Sequence, residues 1–402
     1  MPNSQSLFEG DRLTLERSID LTVESLRAYG ERFSHWSIAY SGGKDSSATV
    51  TLVQRLIELG RVPRPESLIV LYADTRMELP PLQAAAMAVL DELGRRGVET
   101  RVVLPPLDDR FMVYMLGRGV PPPKNRFRWC TSQLKIEPMA AALAERREAI
   151  GEKLLMLTGV RLGESAARDA RIVMSCSRDG AECGQGWFQE SPPDAVADTL
   201  APLVHWRVCH VWDWLVFDKL DHGFPTRDIG AVYGLGEEGS AAENGTRTGC
   251  VGCNLASRDT ALDTLLKTRR WQYLAPFKRL KPLYAELTRA SNRLRKGGNE
   301  RRKDGTLCKN QMRLGPLTFE ARRRGLSEVL TIQDEINAAA RGDGRPTVTL
   351  INDEEHARIL DLIEARTYPD GWTGDEVTGD EMLDEVFSDG SVQPLLADMF
   401  GN

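Results

Sequence analysis

Short apolar runs alternate with amphipathic stretches through the first half of the chain. Trp36-Ser37-Ile38-Ala39-Tyr40 reads as a buried strand; Ala48, Leu52, Leu56 and Leu59 then fall on one helical face, and Gly60 supplies a stop. Ser67–Ala73 is a second apolar run, ending at Asp74-Thr75. A helix is expected from about Pro80 to Arg95, a third strand over residues 100–104 and a fourth over residues 154–159. Repeated strand–helix units predict an α/β fold built on a parallel twisted sheet with helices on both faces. Ahead of them, residues 1–30 read as a helical lead-in carrying Leu13, Leu15, Ile19, Leu21, Val23 and Leu26. Residues 202–206 suggest a further strand leading into an aromatic-rich helix at 211–215, whose tryptophans interleave with Val and Leu as core residues do. Beyond residue 260 the pattern is helical. The division expected is a lead-in (1–30), a main domain (31–260), a helical region (261–350) and an extension with an acidic tail (351–402).

The junction after the first strand carries the chemistry. Ser41-Gly42-Gly43-Lys44-Asp45-Ser46-Ser47 joins a strand to a helix N-terminus. Two glycines let the backbone approach a polyphosphate, the amides of the first helical turn point at it, and Lys44 with the serine hydroxyls adds charge and donors. The Gly-x4 interval of a Walker A loop is missing. In parallel sheets ligands bind at the carboxyl ends of strands, where Ser41 and Asp74 both fall; Asp74 is a candidate for nucleotide or metal binding, or simply a helix cap.

Charge and cysteine count narrow the class. The net charge of −6 argues against a protein that coats nucleic acid, although a local basic face can coexist with it. No apolar run approaches the roughly 20 residues that span a bilayer, and the N-terminus lacks a basic segment followed by an apolar one, so a cytoplasmic enzyme without membrane contact is expected. Seven cysteines in such a chain read as thiols or ligands rather than disulfides.

Several later stretches are rich in candidate groups. The loop Gly117-Arg118-Gly119-Val120-Pro121-Pro122-Pro123 and the following Arg126, Arg128 and Cys130 put arginines beside a thiol, a setting that favours the thiolate, or else leave an inert buried cysteine beside a surface arginine cluster. Arg161 and Arg168, after the fourth strand, suit a second anion, or in the case of Arg161 a pair with Glu164. Gly249-Cys250-Val251-Gly252-Cys253 lets two thiolates turn onto one metal centre, equally compatible in isolation with zinc, a redox dithiol or an iron–sulfur cluster. Residues 293–303 hold six basic residues and one acidic; with their glycines they read as a mobile segment able to follow a phosphate backbone, or as solvated surface. The tail from Asp370 is acidic, a docking or solvating segment.

The loop at 41–46 resembles the PP-loop of the ATP pyrophosphatases, Ser-Gly-Gly-x-Asp-Ser, at every position. Together with Arg128-Trp129-Cys130-Thr131 and Leu134-Lys135-Ile136-Glu137-Pro138, Arg-x-x-Glu-Ser from Arg161, Gly-Cys-x-x-Cys from Gly249, and Arg313-Leu314-Gly315-Pro316-Leu317-Thr318 before a basic helix around Arg322, it is similar to the sulfonucleotide-reductase-like superfamily. Within that superfamily it looks most like the DndC/SspD branch of DNA phosphorothioation enzymes. The resemblance covers about residues 35–330 and implies the adenine nucleotide alpha hydrolase-like fold. It further implies an enzyme that adenylylates a DNA backbone phosphate with ATP and Mg2+, and lets sulfur from a cysteine desulfurase displace AMP, alongside other phosphorothioation subunits of phage defence. By motif match, Ser41, Gly42, Gly43, Lys44, Asp45, Ser46, Ser47 and Asp74 would hold the nucleotide, and Lys44, Asp45, Arg161 and Arg168 would act in the reaction. A 4Fe-4S cluster would take Cys130, Cys250 and Cys253. DndC-like sequences usually carry another cysteine just before Gly-Cys-x-x-Cys, where this chain has Ala242-Glu243-Asn244-Gly245; Cys183, in its turn-rich flank, is taken as the fourth ligand ahead of Cys176, Cys308 and Cys209.

Three other readings compete. A sulfonucleotide reductase would carry a Cys-Cys pair where Trp129-Cys130 stands and a catalytic cysteine near the C-terminus, whereas none follows Cys308. A tRNA thiolase would need an RNA-binding module or paired Cys-x-x-Cys motifs. A nucleotide-sensing subunit of a defence complex would bind ATP without releasing pyrophosphate.

Overall fold

The computed structural model describes residues 13–125, 127–164, 166, 169, 170, 172, 186–217, 222–235, 249–298, 300, 301, 304–381, 384–387 and 389–393. Its described residues fall into two compact units, the first from the segments 1–74, 78–103 and 137–248, the second from 75–77, 104–136 and 249–402. Among the described residues no helix is long and apolar enough to cross a membrane.

The first unit is a six-stranded sheet. Its strands are β1 (His35–Tyr40), β2 (Ser67–Ala73), β3 (Glu99–Val103), β4 (Leu154–Leu157), β5 (Trp187–Gln189) and β6 (Ala197–Ala201), in the order β3-β2-β1-β4-β6-β5. All neighbours are parallel except β5, which runs antiparallel to β6. The mostly parallel α/β sheet expected from the repeated strand–helix pattern is therefore present. Trp36 pairs in register with Leu68 on one side and Leu155 on the other, and Trp36, Ile38 and Tyr40 are buried, as a central strand covered on both faces requires.

Helices α1 (Leu15–Gly30), α2 (Lys44–Glu58) and α3 (Pro80–Arg95) accompany it. In α1, Ile19, Val23 and Leu26 are buried, and Thr14 caps the start by accepting from the Arg17 amide at 3.2 Å. On α2, Ala48, Leu52 and Leu56 lie in the core, whereas Leu59 stands past the helix end and is 54% exposed. Gly60 follows with φ +65, the left-handed backbone that glycine adopts without penalty.

The strand expected at 202–206 lies earlier, at Ala197–Ala201. Pro202 has no amide to give a ladder, and the chain turns there, with the Val204 and Trp206 amides bonded to the Ala201 and Leu203 carbonyls at 3.3 and 2.9 Å. Trp206 and Trp214 are core residues, each with its indole N–H satisfied, on Thr22 Oγ1 at 3.0 Å and Thr51 Oγ1 at 2.9 Å.

The second unit is mainly helical, with its longest helices at Phe319–Gly342 and Asp353–Glu364. Its expected all-helical pattern is interrupted by an antiparallel strand pair, Arg293–Arg295 against Leu314–Leu317. The basic segment accordingly starts inside this pair. Arg293 is buried and donates to the Gly315 and Leu314 carbonyls at 2.8 and 3.1 Å, and Lys296 pairs with Glu376 at 2.8 Å. The acidic tail folds back on the same strand: Leu294 bridges Thr378, and the Gly379 amide donates to Arg293 O at 2.8 Å. Charges that read in sequence as a mobile cationic arm and a separate acidic tail here partly neutralise each other. Arg322 is fully buried, donating to the Leu116 and Thr367 carbonyls at 2.8 and 2.9 Å.

Candidate active site

The loop after β1 is shaped by its glycines. Gly42 has φ +72, and a Cβ on it would stand 2.9 Å from the Ala86 Cβ. Gly43 is the N-cap of α2 and brings no side chain to cap it, leaving the first-turn amides to other partners. The Lys44 amide donates to the Tyr233 hydroxyl at 3.3 Å. Ser46 Oγ donates to Gly43 O at 3.0 Å, accepts from the Ser41 amide at 3.2 Å and lies 3.0 Å from Ser41 Oγ, which locks the loop onto its own helix.

The turn after β4 closes the other side. Gly159 packs against the start of α2 so tightly that a Cβ would lie 2.8 Å from Ser46 N and 2.9 Å from Asp45 C. Two residues on, Arg161 donates from Nε to Asp45 Oδ1 at 2.5 Å and from Nη1 to Trp206 O at 3.1 Å, while Lys44 Nζ reaches Asp45 Oδ2 at 2.9 Å. Burial opposes the charge on Asp45, but Lys44 and Arg161 outweigh it and hold the carboxyl below its usual range. Glu164 goes the other way: burial, then the neighbouring Asp45, push its carboxyl up.

These groups surround a cavity of about 230 Å³ whose polar lining includes Ser41, Lys44, Asp45, Glu164 and Tyr233. Of the residues expected to bind a nucleotide, Ser41, Gly43, Lys44, Asp45 and Ser46 line it. Gly42 shapes the loop behind. The Ser47 hydroxyl points into the core, 3.3 Å from Tyr40 OH. Asp74 is buried at the end of β2, accepts from Gln83 Nε2 at 3.3 Å and is not part of the lining. Arg161 stands behind Asp45, orienting it. Arg168 and Cys183, with Cys176, lie outside the described residues. Gly159 and Tyr233 were not singled out from sequence; Glu164 was, only as a partner for Arg161.

Cys130, Cys250 and Cys253 belong to the second unit. The Cys253 amide donates to Cys250 O at 3.1 Å in a tight turn that has Gly252 at φ +66. Burial, and after it the nearby Cys253, push the Cys130 thiol up against the hydrogen bonding of Thr131, which favours the thiolate; Arg128 donates to Asn125 O and Oδ1, both at 3.2 Å. Burial, then Cys250 and Cys253, raise the hydroxyl of Tyr284. Cys130, Cys250 and Cys253 thus share one neighbourhood. Among the described residues, however, no three His, Cys, Asp or Glu side chains are grouped to hold a metal ion.

Residues 35–222 match the phosphoadenosine phosphosulfate reductase domain. The match takes in less than half of the chain, and this segment is similar to that domain. The matched segment contains the PP-loop, Gly159, Arg161, Glu164 and Cys130, while Tyr233, Cys250 and Cys253 come from beyond it. Two uncharacterized proteins of Methanocaldococcus jannaschii are similar to the chain. One is 25% identical over 182 residues, covering 45% of this chain and 31% of the relative; the other is 23% identical over 249 residues, covering 62% and 44%. The matches therefore span less than half of either relative. Among solved structures, phosphoadenylyl-sulfate reductase from Candida auris in a phosphate complex aligns with a TM-score of 0.33 and 12% identity over 55% of this chain and 92% of its own. The U34-tRNA thiolase NcsA from Methanococcus maripaludis with its 4Fe-4S cluster aligns with a TM-score of 0.34 and 15% identity over 67% and 80%.

Proposed function

We propose that the chain is an ATP pyrophosphatase that transfers sulfur to a DNA backbone phosphate. The observation that carries the ATP site is the start of α2: amides without a side-chain cap, Lys44 beside them, and Gly159 letting a second strand end close the cavity. Lys44 and the first-turn amides would neutralise the polyphosphate, and Asp45 with Glu164 would offer carboxylates to a phosphate-bound Mg2+. Arg161 keeps Asp45 ionised and aimed. In the reaction a non-bridging phosphate oxygen attacks the α-phosphorus of ATP and pyrophosphate leaves; persulfide sulfur from the desulfurase, reduced by two electrons from a second thiol to the sulfide level, then bonds to the DNA phosphorus as that oxygen departs with AMP.

The DNA acceptor, the cysteine desulfurase donor and the other phosphorothioation subunits rest on the conjunction of PP-loop, Arg-Trp-Cys-Thr and Gly-Cys-x-x-Cys motifs in one order. A 4Fe-4S cluster on Cys130, Cys250, Cys253 and Cys183 belongs to the same proposal, supported by the shared neighbourhood of the first three. When bound it would supply iron able to carry sulfide or electrons.

The test is mass spectrometry of nuclease-digested DNA from cells carrying the whole gene neighbourhood, with the parent or with Ser41→Ala plus Asp45→Ala. Phosphorothioate-linked dinucleotides are expected with the parent alone; their absence from both would move the assignment to tRNA thiolation or nucleotide sensing. A second reading, a sulfonucleotide in place of ATP, is favoured by the domain that residues 35–222 match. Calorimetry with each nucleotide separates the two, since tight binding of the sulfonucleotide and none of ATP would select the reductase.

A further inference from the structure

A second pocket, of about 360 Å³, lies wholly in the second unit. Its volume is in the range of small-ligand sites. Its lining includes the apolar Val120, Pro121 and Pro316 and the aromatic Phe127 and Trp372. Phe127 is 49% exposed and its ring has no aromatic or cationic neighbour among the described residues. It is held in place by the backbone: the Lys124 and Phe127 amides donate to each other's carbonyls at 3.1 and 2.8 Å, a closed turn that presents both side chains.

The charge around the pocket is unbalanced. Glu300 neutralises Arg313 through two hydrogen bonds of 2.7 and 2.6 Å. Lys296, stacked 4.2 Å from the Trp372 ring centre, is neutralised by Glu376. Arg293 donates to backbone carbonyls and Lys124 has no acidic partner among the described residues, so two cations face the pocket without carboxylates and repel one another. An exposed ring and prolines beside unneutralised cations are complementary to a ligand that is flat and aromatic at one end and anionic at the other.

We propose that this pocket holds one unstacked nucleotide of a single-stranded nucleic acid, its base against Phe127 and its phosphate between Lys124 and Arg293. A duplex keeps its bases paired and stacked and cannot fill the pocket without extruding one, so the single strand is the favoured form. The pocket is distinct from the PP-loop cavity and its occupancy is measured without ATP, so it stands or falls apart from the proposed reaction.

The test is fluorescence anisotropy of a labelled 12-nucleotide single-stranded DNA with the full chain, in parent, Phe127→Ala and Lys124→Glu forms. Both side chains are exposed, and ATP binding with thermal melting checks that each variant is folded. Each substitution is expected to weaken binding roughly ten-fold or more, and Lys124→Glu to lower the salt dependence by about one phosphate contact. Unchanged affinity in both folded variants, or tighter binding of the matching duplex than of the single strand, would overturn the proposal. Displacement of the oligonucleotide by a proline-rich peptide but not by unlabelled single strand would overturn it in favour of a protein ligand.

Discussion

Gly159, in the turn after β4, approaches the amide of Ser46 so closely that a single added carbon would sit 2.8 Å from it. The neighbour is backbone at the start of a helix, which cannot swing aside as a side chain can. Gly159→Ala is therefore expected to push β4 and α2 apart, destabilise the protein by about 1–3 kcal/mol and weaken nucleotide binding at least ten-fold. Denaturant unfolding and calorimetry with ATP measure the two effects; an alanine variant with parental affinity would show that this contact does not shape the cavity.

Asp45 and Lys44 separate stability from chemistry. Asp45→Ala leaves the buried Arg161 guanidinium with the Trp206 carbonyl as its close partner, which should cost about 3 kcal/mol, whereas Lys44→Ala removes a cation from the cavity edge with less effect on folding. Both should abolish ATP-dependent release of pyrophosphate. Full pyrophosphate release by both variants would remove the ATP-site assignment.

Two histidines in neutral form tie the start of α1 and the residue Leu13 before it to the segment that follows β6. His210 Nε2 donates to Leu13 O at 3.0 Å while Nδ1 accepts from the Arg207 amide at 3.3 Å, and His205 Nε2 donates to Ser18 O at 2.9 Å. Burial pushes both below their ordinary value of 6.5. A depressed value in the folded state means their contribution is intact above pH 6.5 and is lost as the pH falls through the folded value. Urea midpoints should drop from pH 7.5 to pH 5, and less steeply in His210→Gln; parallel curves would place the acid sensitivity elsewhere.

The proposed cluster has a readout independent of activity. Protein purified without oxygen is expected to carry iron and acid-labile sulfide and to be brown, and Cys250→Ser to lose all three. Stoichiometric zinc without sulfide in the parent would point to a plain thiolate site instead.

What the sequence disclosed followed the reach of its signals. The strand, glycine loop and helix around Ser41 are contiguous, so their placement needed only local rules. Arg161 and Glu164 could be put near the same edge because they follow a recognisable strand, but the pairing of Arg161 with Asp45, which leaves Glu164 the more easily protonated carboxyl, depends on burial. Tyr233 carries no local signal: it comes after the short helix Arg227–Val232 and meets Lys44 through tertiary packing alone. The basic stretch from Arg293 looked mobile because its neutralising carboxylate, Glu376, lies far along the chain. Three arginines near Cys130 in sequence left a reactive thiolate and an inert buried thiol both open, and burial, which no local pattern reports, favours the second.

The sheet order sets when the cavity can come into being. β1 and its loop are made early, but the strand that closes the cavity, β4, pairs with β1 only after two complete strand–helix units have been laid down on the other side. Contacts so distant along the chain form late. A growing chain thus has the phosphate loop long before it has Gly159 and Tyr233 to shut it, and nucleotide affinity should arise abruptly during synthesis, once β4 and the segment through Tyr233 have emerged and docked, rather than gradually with chain length.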